Sequence, residues 1–250
     1  MKDLYEALIG GVDGEARVCL AVRGRWQAYV ETEDGAGLSS LLLPGKIPYD
    51  DALVLPEWEG RPLRELAGEV RRFEGIEAAL GMAALNAWYN APARLEGRGV
   101  KLFPPEVEGG HAFRTLEAEC RDKIVSTVGH FHGGEALRGM KELRVFEKDP
   151  RPGDYPEERE EELLPGSDIV IITGMAFTNG TMPRLLELTE GCYTALSGPT
   201  VPMAEALFDW GVDALFGTVV WDVPGCREAI LTGGHKDTWP HMGKTEWRKG

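Results

Sequence analysis

No CxxC pair occurs in the 250 residues, and the four cysteines, Cys19, Cys120, Cys192 and Cys226, stand 101, 72 and 34 residues apart. That spacing argues against a structural zinc knot or a redox dithiol and leaves four free thiols, the state expected in a reducing cytosol. No apolar run approaches the ~18 residues of a membrane span, and the opening Met1-Lys2-Asp3-Leu4-Tyr5-Glu6 does not read as a signal peptide. A cytoplasmic location without membrane insertion is therefore expected. Positive charge is scarce as well: 27 Lys and Arg face 41 Asp and Glu, for a net charge of −14. The deficit is shared, with 12 basic and 18 acidic residues in 1–110 and 15 and 23 in 111–250. Phosphate backbones bind positive patches, so nucleic acid is not an expected partner. Internal repeats and low-complexity tracts are missing too.

What is present is an ordinary globular composition, 43% hydrophobic and 27% charged, in a chain long enough for one large domain or two small ones. The segment Leu102-Phe103-Pro104-Pro105-Glu106-Val107-Glu108-Gly109-Gly110 reads as a linker. It divides the chain into 1–108 and 109–250. In the first part, Ala16–Ala21 and Trp26–Thr32 predict a hairpin about Arg23-Gly24-Arg25, and Asp34-Gly35-Ala36-Gly37 reads as a turn. Leu63–Phe73 and Ile76–Asn90 have helical spacing, the second with a face of small residues, Ala79, Ala83, Ala84 and Ala87, that permits close packing. In the second part apolar strands at 123–128, 143–147, 168–174, 193–198 and 213–221 alternate with helices at 135–142, 182–190, 203–210 and 225–231. Glu157–Glu162 reads as a solvated helix face. Such alternation gives a parallel sheet with right-handed crossovers, so the fold class is α/β, a Rossmann-like parallel-sheet domain preceded by a small α+β domain.

Ligands of open parallel sheets bind outside the carboxyl ends of the strands. Those ends name the candidate ligand-binding residues: Gly129 and Phe131 after the first strand, Glu147 at the second, and Thr173, Gly174, Thr178, Asn179, Gly180 and Thr181 after the third. Gly198, Pro199 and Thr200 follow the fourth, and Asp222 the fifth. A dinucleotide fingerprint is not met, because glycines stand at 129, 133 and 134 instead of in GxGxxG order; Glu147, 18 residues past Gly129, is the one matching feature. NAD is disfavoured. His130 and His132 share one loop with Glu147 emerging beside it, and imidazole with carboxylate suits a transition-metal ion, the candidate cofactor. The alternative is that His130 only hydrogen-bonds within the cleft while His132 faces solvent. His235 and His241, in the tail Gly233–His241, are expected to be structural. GxSxG is absent, so a nucleophile elbow is excluded, and Asn179 and Thr181 also suit N-capping.

The stretches Glu147-Lys148-Asp149-Pro150-Arg151-Pro152-Gly153-Asp154 and Leu164–Gly174 resemble a known family, as do Thr178-Asn179-Gly180-Thr181, Gly198-Pro199-Thr200 and Gly211-Val212-Asp213. It is the "putative heavy-metal chelation" domain family. Upstream, Gly81-Met82-Ala83-Ala84-Leu85-Asn86-Ala87 resembles the N-terminal domain that accompanies it. The resemblance implies an enolase-N-terminal-like first domain, a Rossmann-like second domain and a site in the crevice between them, toward which Asn86 and Asn90 would reach. For Asn86 the alternative is a buried amide capping a helix end.

Three functions follow as expectations. The leading one is a cytosolic protein whose interdomain crevice handles a heavy-metal ion or a metal chelate, with His130, His132 and Glu147 as metal ligands if protein atoms hold the ion. The second is an enzyme on a nucleotide-like or carboxylate-bearing small molecule, with Glu147 or His130 as acid or base. The third is a non-catalytic binding or assembly module, with a homodimer as one form of it and Trp58, Trp88, Trp210 or Trp239 at an interface.

Overall fold

The computed structural model describes residues 3–43, 47–105, 111–131 and 138–250, with only the backbone of His235. The first half is built on an antiparallel sheet of β1 (Leu20–Arg23), β2 (Gln27–Thr32), β3 (Gly35–Ser40) and β4 (Leu53–Val54), in the order β3-β2-β1-β4. Around it lie the helices α1 (Leu4–Gly10), α2 (Leu63–Gly68), α3 (Gly75–Tyr89) and α4 (Pro92–Leu95). The expected hairpin is β1–β2, beginning at Leu20 instead of Ala16. The expected turn at 34–37 is confined to Glu33-Asp34, and Gly35–Gly37 open β3. Gly37 serves close approach: a Cβ there would meet the Ala87 nitrogen and the Ala83 carbonyl of α3. The small-residue face of α3 thus lies flat on the sheet. Apolar nearly all round, α3 is buried from Ala78 to Ala87, as such helices are. The 63–73 helix splits into α2 and a 3-10 turn, Glu69–Arg72, closed by Phe73 in the left-handed region at φ 56°.

The second half carries an eight-stranded sheet. Its strands are β5 (Lys101–Phe103), β6 (Ile124–Val128), β7 (Glu142–Glu147), β8 (Tyr155–Pro156), β9 (Ile169–Thr173), β10 (Tyr193–Ser197), β11 (Ala214–Val220) and β12 (Met242–Arg248). They run in the order β5-β12-β11-β10-β9-β6-β7-β8. From β11 to β8 every pairing is parallel. The helices are α5 (His111–Leu116), α6 (Glu160–Leu163), α7 (Met175–Thr178), α8 (Met182–Leu188) and α9 (Val223–Thr232). This α/β arrangement with a largely parallel sheet and a separate antiparallel one is the fold class expected.

Three elements differ from expectation. Residues 138–141 are not helical, and Glu142 already belongs to β7; residues 132–137, including His132, lie outside those described. The 203–210 segment is a 3-10 helix from Glu205 to Trp210. The tail turns back after its 3-10 segment as β12, antiparallel to β11 along seven residues, and β12 in turn pairs with β5. Its Met242–Arg248 run mixes polar and apolar residues because its two faces differ: Thr245 and Trp247 face the buried core, while Lys244, Glu246 and Arg248 face the α5 side.

One apolar core runs through both halves, joining Leu85 and Met82 of α3 to Phe177, Leu185 and Met203. The Tyr5 hydroxyl donates to the Phe177 carbonyl across the join at 3.0 Å. The opposite face of the first sheet is also covered, since Tyr29 and Leu38 pack with Val220, Cys226 and Ile230.

Candidate functional site

Numbered by chain order, the central parallel strands β7-β6-β9-β10-β11 run 2-1-3-4-5. The order reverses between β6 and β9, and in doubly wound sheets the crevice opens at that reversal. There the chain leaves β6 through Gly129, whose φ of +97° favours glycine and whose would-be Cβ would stand 3.0 Å from Thr173 Cγ2. The tight exit presents His130 to the end of β7.

His130 is held between two carboxylates. Its backbone N–H donates to Glu147 Oε1 at 2.7 Å, its Nδ1 lies 2.9 Å from the same oxygen, and its Nε2 lies 3.0 Å from Asp154 Oδ2. All three side chains remain partly open, at 25%, 22% and 11% relative exposure for His130, Glu147 and Asp154. Asp154 is positioned by a tight turn in which its Oδ2 accepts from the Arg151 N–H at 2.7 Å, with Gly153 at φ +101°. A neutral imidazole donates through one nitrogen only, so both contacts are hydrogen bonds when the ring is the imidazolium. Phe131, the next residue, packs edge-on against Phe113 of α5, with ring centroids 5.1 Å apart, as part of the core on that face.

The other strand ends are closed by the first half. Asn86 is buried and its Nδ2 donates to the Leu38 carbonyl at 2.7 Å and to the Pro199 carbonyl at 3.1 Å, while its Oδ1 has no partner. Asn90 clamps three backbone groups: Nδ2 donates to Val201 and Thr218, each at 3.0 Å, and Oδ1 accepts from the Met203 N–H at 2.8 Å. Thr200 Oγ1 accepts from the Ser40 N–H at 3.0 Å. A Cβ on Gly174 would reach the Val201 nitrogen at 2.9 Å, so Gly174 and the 198–200 loop are in contact. Both asparagines therefore do cross from the first half to the strand ends, but they bind backbone there.

The loop after β9 satisfies itself. Thr178 is buried and donates to the Met175 carbonyl at 2.9 Å. Asn179 Oδ1 accepts from the Thr181 N–H at 3.1 Å and hydroxyl at 2.7 Å. Gly180 lies under Phe73, whose ring would be 2.9 Å from a Cβ there. Phe73, 39% exposed, also packs edge-on against the Tyr5 ring, with centroids 4.9 Å apart. At β11, Asp222 caps α9 through the Gly225 N–H at 3.0 Å and pairs with His241 Nδ1 at 2.8 Å. The Gly225 amide, then His241, hold its carboxyl below the usual range.

Asp154 beside His130 and Phe73 over Gly180 are contacts that strand ends alone do not reveal. Pro152-Gly153-Asp154, a turn signal leading into a strand beside Glu147, was the available cue for the first; nothing local marks the second.

Does the donor set suit a soft metal ion? Glu147 and Asp154 lie on opposite nitrogens of one ring, so no single point is within ligating reach of all three. Among the described residues no group of three or more His, Cys, Asp and Glu is arranged to hold an ion. Cys226 is buried in α9 in one cluster with Val220 and Tyr29, with its thiol pushed up to about 12 by burial; burial raises Cys120 to about 11, and Cys192 and Cys19 are raised as well. Soft-metal sites use thiolates, so these residues do not fit a bare soft ion.

Comparison with known proteins bears on the same residues. Two family models, both described as "Putative heavy-metal chelation", match: DUF364 over residues 111–247 and DUF4213 over residues 5–89. The chain belongs to the DUF364 family. A DUF364 protein with unknown function from Desulfitobacterium hafniense DCB-2 is 30% identical and superimposes with a TM-score of 0.84, covering 98% of this chain and 97% of its own. A DUF364 protein with unknown function from Pyrococcus horikoshii, 19% identical, shares the fold with a TM-score of 0.74 over 98% of this chain and all of its own. No curated protein matches. Among the described residues no helix is long and apolar enough to cross a membrane.

Proposed function

We propose that this DUF364 protein binds a heavy-metal chelate, a small molecule whose own atoms hold the ion, at the carboxyl ends of β6, β7 and β9. The carrying observation is His130 fixed between Glu147 and Asp154 at the topological reversal, on a part of the rim that stays partly open. The free lone pairs of the two carboxylates accept hydrogen bonds from N–H or O–H groups of the chelate or from water bound to its metal. Thr173 and Gly129, which touch each other beside His130, border the ligand. In this reading the crevice expected between the halves narrows to the β6–β8 side. Two domains meeting near residues 108 and 109 belong to the same reading, supported by family matches that end at 89 and resume at 111. So does a cytoplasmic location, supported by four free thiols.

The test is calorimetry on tag-free protein with Ni²⁺ or Zn²⁺ alone and with the same ions as citrate complexes. The chelate is expected to bind, the bare ion not, and His130→Ala and Glu147→Gln each to weaken chelate binding tenfold or more. Stoichiometric binding of the bare ion, lost in those variants, would replace this reading with direct ligation by His130, Glu147 and His132. Binding of neither form would remove metal from the account.

A second reading, an enzyme on a nucleotide-like or carboxylate-bearing small molecule, draws on the same Glu147–His130–Asp154 chain. A carboxylate fixes the orientation of an imidazole that moves a proton. Product formation that is lost in His130→Ala would favour it.

A further inference from the structure

On the α5 face of the sheet, at its far edge, lies a second polar group that the reading above does not use. Lys244 of β12 is directly opposite Thr218 on β11 and Phe103 on β5. Cross-strand pairs share a face, and the His111 ring completes the wall, 4.3 Å from the Phe103 ring. Four strand spacings of about 4.8 Å separate β6 from β12, so this group is roughly 19 Å from His130.

Among the described residues the local charges do not balance. Glu246, two residues on and 4% exposed, is the nearest buried carboxylate, but it is taken by Arg248 at 2.9 Å and Lys101 at 3.4 Å. His111 Nε2 stands 3.9 Å from Glu246 Oε2, too far for a hydrogen bond, and is buried without a partner. Lys244 is half-buried and makes no ion pair with a described carboxylate. Burial lowers both groups, so the amine is costly to keep charged there without an anion, and the imidazole is neutral near pH 7 with one N–H to donate. In a molecule of net charge −14, a half-buried ammonium and an imidazole nitrogen that has no partner among the described residues lie beside a threonine on one face of the sheet.

We propose that Lys244, His111 and Thr218 form a binding site for a small oxyanion, a carboxylate or phosphate group. Lys244 supplies the charge, the His111 Nε2–H and the Thr218 hydroxyl supply hydrogen bonds, and Phe103 limits the space to a small head group. The inference stands apart from the chelate reading, since it uses none of the same residues.

The test is titration of the full chain with inorganic phosphate and, separately, with acetate and citrate, at ionic strength held constant with chloride. Binding is followed by calorimetry and by acylation of Lys244 read by mass spectrometry. Saturable binding is expected for one class, weakened tenfold or more in Lys244→Gln and severalfold in Thr218→Val. The same anion should slow acylation of Lys244 in the unaltered protein, an outcome that does not depend on any variant folding. Phosphate-only binding assigns the site to phosphate groups, and acetate or citrate binding to carboxylates. No saturable binding of any of the three, or acylation of Lys244 unaffected by all of them, would overturn the proposal.

Discussion

Two stretches of one sheet rim, built from the same kinds of residue, have different fates. At β9–β11 the polar groups face the first half of the chain and are consumed by backbone: Asn90 holds Val201, Met203 and Thr218, Asn86 holds Leu38 and Pro199, and Thr200 holds Ser40. At β6–β8 nothing among these groups reaches across, and His130, Glu147 and Asp154 bond to one another while staying partly open. A polar strand end is thus a binding candidate only where its hydrogen-bonding capacity is not already claimed. The closed stretch joins the two halves, and the open one keeps unclaimed hydrogen-bonding capacity.

The comparison can be broken most sharply at Asn90. Asn90→Ala strands three buried backbone groups, each costing ~1–3 kcal/mol, so urea unfolding should report a loss of about 4 kcal/mol; a loss below ~1 kcal/mol would mean that the closed rim is not a clamp. Gly37→Ala comes next, because the added methyl must push β3 off α3. Overpacking of this kind costs about 1–3 kcal/mol, read from the same urea curves, and Gly10→Ala, in open space, serves as its neutral counterpart. On the open side His130→Ala should change stability by only about 1 kcal/mol, because its contacts are partly exposed, while weakening chelate binding tenfold or more. Large destabilisation without a binding change would make the open cluster structural after all.

The smallest effect expected is at Glu160, next to the rim's outer edge. Burial, then the Glu157 charge, raises its carboxyl to about 7. The folded value lies above the ordinary 4.5, so the protonated form is favoured by folding. Its contribution is complete below pH 4.5 and is lost as the pH rises through about 7. Glu160→Gln should flatten the pH dependence of the melting temperature across that window and slightly stabilise the protein at pH 8, by less than about 1 kcal/mol given its exposure.

The parallel strands were legible because buried runs such as Ile169–Thr173 are apolar on both faces, and α3 because its small residues repeat at helical spacing. β12 was not, since each of its faces meets a different environment and Lys244, Glu246 and Arg248 disguise it as a polar tail. β3 was hidden by glycines that serve close approach to a helix, which composition cannot tell from turn glycines. His130 and Glu147 could be named from strand ends alone. That Asn86 and Asn90 are claimed by carbonyls, and that Asp154 closes the cluster, depends on contacts more than a hundred residues apart or on a turn whose direction the sequence does not give.

The apolar core that runs unbroken from α3 into α7 and α8 has a mechanical consequence. A clamshell motion would have to part the core that Leu85 and Met82 share with Phe177 and Met203, exposing hydrocarbon along the seam, so a single cooperative melting transition for both halves is the expected outcome in calorimetry.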